Sequence, residues 1–149
     1  MNVVIIGARK RSERDDEPLI NKLVDDLISR YPQLKIFSSG CDRGIGKIIK
    51  NKCLPLGEKN ARATFRFVEL AVRIYLLPGE ELTKSEFAGI FMPRNAYLNE
   101  VGDEFHLFID GNYPRGSMAD LWRRVTARTA PYAIYRPGET DIKRPSDKG

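Results

Sequence analysis

Short apolar runs recur along this chain at intervals too wide for hairpins, and segments of helical length fill the intervals. Asn2-Val-Val-Ile-Ile-Gly7 is a continuous apolar run closed by glycine, the pattern of a strand buried on both faces. Leu34–Ser39, Val72–Leu77 and Glu104–Ile109 read as the second, third and fourth strands, and Tyr132–Tyr135 as a short last one. From Pro18 to Ile28, two rows at spacings of four (Leu19, Leu23, Leu27 and Ile20, Val24, Ile28) give a helix one apolar face. Asp15 or Asp16 is expected to cap that helix, with Pro18 in its first turn. After the loop Gly40–Gly46, a short helical segment reaches about Cys53 and is expected to end at Pro55-Leu-Gly57. Glu58–Glu69 reads as another helix with Phe65 and Val68 inward. A further helix runs from about Lys84 to Glu100, where Pro93 must kink or interrupt it. Ser117–Arg128 completes the set, with Ser117 as its cap.

This strand–helix alternation implies βαβ crossovers, a parallel sheet and helices on both faces. The fold class is therefore α/β: a Rossmann-like three-layer sandwich with a mainly parallel sheet of about five strands. A length of 149 residues suits one domain, placed at 1–136, with the Pro-, Gly- and charge-rich segment 137–149 as a flexible tail. Apolar residues at 42% exclude wholesale disorder, and no apolar run approaches the roughly 20 residues that cross a bilayer. The first strand begins at Asn2 with no basic, signal-like segment before it, so a cytoplasmic location without membrane association is expected. Cys41, Cys53 and His106 match no metal-ligand spacing, so no metal site and no cofactor are expected, and the thiols read as packed and reduced.

In open parallel sheets ligands bind beyond the carboxyl ends of the strands. Strands here run into small-residue loops: Gly7-Ala-Arg9, Ser38–Gly44 and Asp110–Ser117. Glycine lets backbone approach a ligand closely, and the N–H groups of a following helix favour an anion. Arg9, Arg43 and Arg115 would add charge-assisted hydrogen bonds. The candidate ligand-binding residues are thus Gly7, Arg9, Ser39, Gly40, Arg43, Gly44, Gly111, Arg115, Gly116 and Ser117. Each of these glycines also has a simpler reading as a turn residue. A Gly-Lys-Ser/Thr phosphate loop and a complete G-x-G-x-x-G after the first strand are both missing, which disfavours a conventional NTPase or nicotinamide dehydrogenase.

Taken in order, the Gly-x-Arg turn, the Ser-Gly turn, Met92-Pro-Arg-Asn95 and Gly116-Ser-Met-Ala-Asp120 resemble the SLOG superfamily over roughly residues 2–135. That group includes the Lonely Guy phosphoribohydrolases, the DNA-processing protein A Rossmann domain and YspA-like proteins. The resemblance implies that Arg94 and Asp120 occupy the positions serving N-glycosidic cleavage, with Asn95 beside them and Ser117 in place of the family's threonine. A carboxylate can stabilise an oxocarbenium-like centre and orient water, while an arginine holds a 5′-phosphate. Homo-oligomerisation through the flanking helices is a further implication. The chain departs from the family where Pro-Gly-Gly is replaced by Asp110-Gly-Asn-Tyr-Pro-Arg115, and where Asp stands for Glu at 120.

The leading expectation is binding of a nucleotide or phosphorylated nucleoside, with N-glycosidic cleavage by Arg94 and Asp120 as its enzymatic form. A bland alternative for this pair is Arg94 bound to Asp103 or Glu100, and Asp120 complementing a helix dipole. Nucleic acid is the competing partner: the chain carries a formal +5 charge, and seven basic residues against two acidic ones lie between Asp42 and Arg66. Few aromatics interleave with that run, so no stacking groove is evident there. A third reading is an inactive module binding a partner protein, as would suit a phage-encoded accessory protein. Trp122 reads as half-buried packing, and Tyr113 as the better stacking residue.

Overall fold

The computed structural model describes residues 1–8, 10–39, 44–59, 62–67 and 84–145. Five strands and four helices alternate: β1 (Asn2–Gly7), α1 (Glu13–Arg30), β2 (Leu34–Ser38), α2 (Gly44–Lys59), β3 (Ala63–Phe67), α3 (Lys84–Val101), β4 (Glu104–Phe108), α4 (Gly116–Ala127) and β5 (Tyr132–Tyr135). All strand pairs are parallel, in the order β3-β2-β1-β4-β5. The sheet direction therefore switches beside β1, which pairs with β2 on one edge and β4 on the other.

Period-two alternation divides the apolar side chains into two cores. Val3 and Ile5 of β1 join Leu34, Ile36, Phe108 and the inner faces of α1 and α2. Val4 and Ile6 point the other way, onto Phe105, Leu107 and residues of α3 and α4. Crossovers of one hand produce this arrangement, since the chain builds outward from β1 twice, in opposite directions. The alternation is broken by a polar chain in the first core. Fully buried His106 places Nε2 2.7 Å from Glu104 Oε2 and Nδ1 2.9 Å from the Tyr135 hydroxyl, and the Tyr31 hydroxyl donates to Glu104 Oε1 at 3.1 Å. Burial pushes the Tyr135 phenol well above the usual tyrosine range.

Several local expectations are corrected. Ala63–Phe67 is a strand and not part of a helix from Glu58 to Glu69. There Ala63 is buried and Thr64 and Arg66 are exposed, a period of two that lets β3 pair along β2. The expected strand Val72–Leu77, like Val68, lies outside the described residues. Pro55 does not end α2, which continues to Lys59. The carbonyl it leaves unbonded belongs to Asn51, which is exposed and open to water. Pro93 likewise sits inside an unbroken α3: the opposing residue is exposed Gly89, with open space around it.

Ser12, and not Asp15 or Asp16, caps α1, its Oγ accepting from Asp15 N at 3.3 Å, so Pro18 falls in the helix interior. Ser117 is likewise inside α4, whose N-cap is Arg115. After β5 the chain turns back against the domain through residue 145. Lys143 N donates to the Tyr135 hydroxyl at 3.0 Å, Arg144 pairs with Asp26, and Ile142 packs on the first core.

Gly7 shows how tightly the end of β1 is seated. A Cβ there would lie 2.1 Å from Ile45 Cγ1 of α2, so the hydrogen is required for packing between strand and helix. Gly7→Ala is expected to lose about 1–3 kcal/mol through overpacking. Urea unfolding measures this directly, and an unchanged midpoint would contradict the contact.

Candidate functional site

The carboxyl ends of β1 and β4 meet at the switch point, where Ala8 N donates to Phe108 O at 2.9 Å. Arg11 organises this edge. Its Nε and Nη2 donate to Asp16 Oδ2 at 2.8 Å and Oδ1 at 2.5 Å, a two-toothed pair with both side chains nearly fully buried. Its Nη1 donates to the carbonyls of Ile109 at 2.8 Å, just past β4, and of Tyr135 at 3.1 Å, the last residue of β5. Arg11 thereby ties the first turn of α1 to the two strands farthest along the chain.

Two helices open at this edge on a left-handed glycine: α2 at Gly44 (φ +64°) and α4 at Gly116 (φ +55°). They differ in what meets their N–H groups. Gly44 N donates to Glu13 Oε1 at 2.9 Å, and Lys47 Nζ lies 3.5 Å from Glu13 Oε2. The anion favoured at the start of α2 is thus the chain's own carboxylate. The Gly44 N–H holds this carboxyl below its ordinary range, with Lys47 adding to the effect and desolvation opposing it. The N-terminus of α4 has no side-chain cap.

Beneath the α4 terminus, α3 and α4 are joined through Asn95, which is fully buried. Asn95 Nδ2 donates to the Ser117 carbonyl at 2.9 Å and to Asp120 Oδ2 at 3.1 Å, while its Oδ1 accepts from Arg94 Nη2 at 3.2 Å. Arg124 Nε, one turn along α4, donates to the same Asp120 Oδ2 at 3.0 Å. Both contacts fall on one oxygen, and Asp120 Oδ1 has no hydrogen-bond partner among the described residues. Arg94 is buried and its guanidinium sits 5.0 Å from the Phe91 ring centroid. The structure therefore gathers Arg94, Asn95, Ser117 and Asp120 into one cluster.

The other expected site residues divide between this end and the α2 end. Arg115 and Gly111 lie in the loop before α4, where the Arg115 guanidinium stands 5.1 Å from the Tyr113 ring centroid. Ser39 is buried at the end of β2, near neighbour to Ser38, whose buried hydroxyl has no partner among the described residues. Arg9, Gly40, Cys41 and Arg43 lie outside the described residues. Two members of the basic run, Lys47 and Lys52, pair with Glu13 and Asp25 of α1. Trp122 packs half-buried against the second core.

Arg11, Glu13 and Arg124 were not singled out from the sequence. Arg124 had a usable signal, its spacing of four from Asp120; Arg11 and Glu13 lie in a charged stretch whose partners come from distant strands and helices. Among the described residues no three His, Cys, Asp or Glu side chains cluster as a metal site. Cys53 is buried in the first core, and that burial pushes its thiol up to about 12, leaving it a poor nucleophile. A groove of about 420 Å³ between Tyr31, Leu34 and Ala63 opens at the opposite edge of the sheet, away from the strand carboxyl ends. No described helix is long and apolar enough to cross a membrane. No known family model matches the chain, and no curated protein sequence matches it.

Two expectations follow. Arg11→Ala strands the buried Asp16 carboxylate and the Ile109 carbonyl, and is expected to cost about 3–5 kcal/mol in denaturant unfolding; a loss below about 1 kcal/mol would rule out the clamp. Glu13 has a lowered folded-state value, so its contribution is present above the unfolded glutamate value near 4.3 and fades as pH falls through the folded one. The stability difference between wild type and Glu13→Gln should therefore be constant above about pH 5 and shrink below it. Urea titrations across pH test this, and a difference that persists into acid would refute it.

Proposed function

We propose that this chain is a SLOG-like domain that binds a phosphorylated nucleoside between α3 and α4, with its phosphate at the first turn of α4. The observation that carries the reading is the contrast between the two glycine-led helix ends. Glu13 supplies the anion at α2, whereas α4 has no capping side chain and stands over the Arg94–Asn95–Asp120 cluster. Free N–H groups at a helix start, with an arginine close by, are the chemistry that recognises phosphate.

The enzymatic form, cleavage of an N-glycosidic bond, draws support from Asp120. Asn95 and Arg124 fix one carboxylate oxygen, and the other is left for a developing positive charge or an attacking water. The nucleic-acid alternative draws less support, because Lys47 and Lys52 of the basic run already face carboxylates.

A thermal-shift screen against nucleoside monophosphates, cyclic and dinucleotide signals and short single-stranded DNA tests the reading. A cognate nucleoside phosphate at a hundred times its Kd is expected to raise Tm by roughly 5–10 °C. Asp120→Asn should keep that shift and abolish release of free base. Stabilisation by DNA alone would transfer the function to the nucleic-acid reading, and a flat screen would remove both.

A further inference from the structure

The loop between β4 and α4 is pinned along its backbone and yet presents an aromatic ring to water. At its start, Ile109 N donates to Tyr135 O at 3.0 Å, and Ile109 O accepts from Arg11. In its middle, Arg136 Nε donates to Asn112 O at 2.9 Å. At its end, Arg115 O accepts from Met118 N and Ala119 N. Between these anchors Tyr113 is 62% exposed, the most exposed of the large apolar or aromatic side chains described.

The ring is not loose. Arg115 stacks its guanidinium against it, 5.1 Å from the centroid, and no other ring or cation touches it among the described residues. Gly111 leaves the room for this arrangement: a Cβ there would already come within 3.4 Å of Arg115 Nη2. One face of Tyr113 is thus backed by a cation, while most of the residue's surface remains in water. A guanidinium on the rear face restrains the ring before any ligand arrives, which reduces the ordering cost of binding.

Taking the phosphate site at α4 as given, we propose that Tyr113, backed by Arg115, is the platform on which the base of the bound nucleotide stacks. Tyr113 precedes Gly116 by three residues, so its Cα is within at most ~11 Å of the Gly116 Cα at the helix start. Stacking reads the flat face of a base and not its hydrogen-bonding edge, so the ligand class is nucleoside phosphates at large, with purines held more tightly than pyrimidines for their larger overlap. Ribose 5-phosphate fills the phosphate site and leaves the platform empty.

Calorimetric titration of the full chain separates the two sites. The ligands are the adenine, guanine, cytosine and uracil nucleoside 5′-monophosphates and ribose 5-phosphate. Tyr113→Ala is expected to weaken the best-bound nucleotide by roughly 5- to 150-fold while leaving ribose 5-phosphate unchanged. Tyr113→Phe keeps the ring and should hold nucleotide affinity within about 2-fold. The exposure of Tyr113 makes both variants safe for folding. Nucleotide binding indifferent to Tyr113→Ala overturns the platform alone, as does an equal loss for both ligand types, which would mean a disturbed loop. Wild-type protein that binds neither ligand type overturns the phosphate site and the platform with it.

Discussion

The guanidinium of Arg11 carries a burden that no backbone group in its place could carry. Beyond the end of β4 the carbonyl of Ile109 needs a donor in a region sealed from water, and the carbonyl of Tyr135, at the end of β5, already accepts from Ile109 N and has a lone pair for a second donor. An arginine can reach both, but its charge is costly to bury unless a carboxylate is supplied. Asp16 supplies it from the first turns of α1, which requires α1 to begin as early as Ser12–Glu13. The start of α1 then brings Glu13 to the N-terminus of α2. One buried cation thereby fixes where α1 begins, how the β4 loop leaves the sheet and which carboxylate faces α2.

That chain of dependence makes the carboxyl edge of the sheet electrostatically uneven. Gly44 and Gly116 give α2 and α4 the same backbone opening, so the two ends are alike in geometry. Glu13 and Lys47 balance each other at α2. At α4 the nearest charges sit behind the helix start, in the Arg94–Asn95–Asp120–Arg124 cluster, and to its side at Arg115. This difference along one edge is the physical basis for the proposal of a ligand site between α3 and α4.

The sandwich itself was legible because buried strands announce themselves: Val3–Ile6 is apolar on both faces, and Phe105–Phe108 is apolar but for His106, and each ends in small residues or a charged loop. Arg94, Asn95 and Asp120 were singled out through the family resemblance alone, and their meeting between α3 and α4 is a tertiary fact. The β3 strand was not legible, because Ala63–Phe67 is half-polar on an edge and its pattern becomes readable once β2 is alongside. Pro55 and Pro93 misled for a related reason. The cost of an interior proline depends on whether water can reach the carbonyl opposite, and that is a tertiary fact. Arg11 lay deepest, for its partners lie five, 98 and 124 residues away.

The position of β1 has a consequence for the chain as it leaves the ribosome. β1 is made first, yet one of its edges pairs with β4, about a hundred residues later. At translation rates of roughly 5–20 residues per second, that edge waits on the order of 5–20 s with a row of unsatisfied N–H and C=O groups. Nascent chains of this protein therefore pass through a stage in which β1 is half-paired and apolar on both faces. Slow decoding between β3 and β4 would lengthen that stage, and a chaperone that shields hydrophobic nascent segments would find its target in β1.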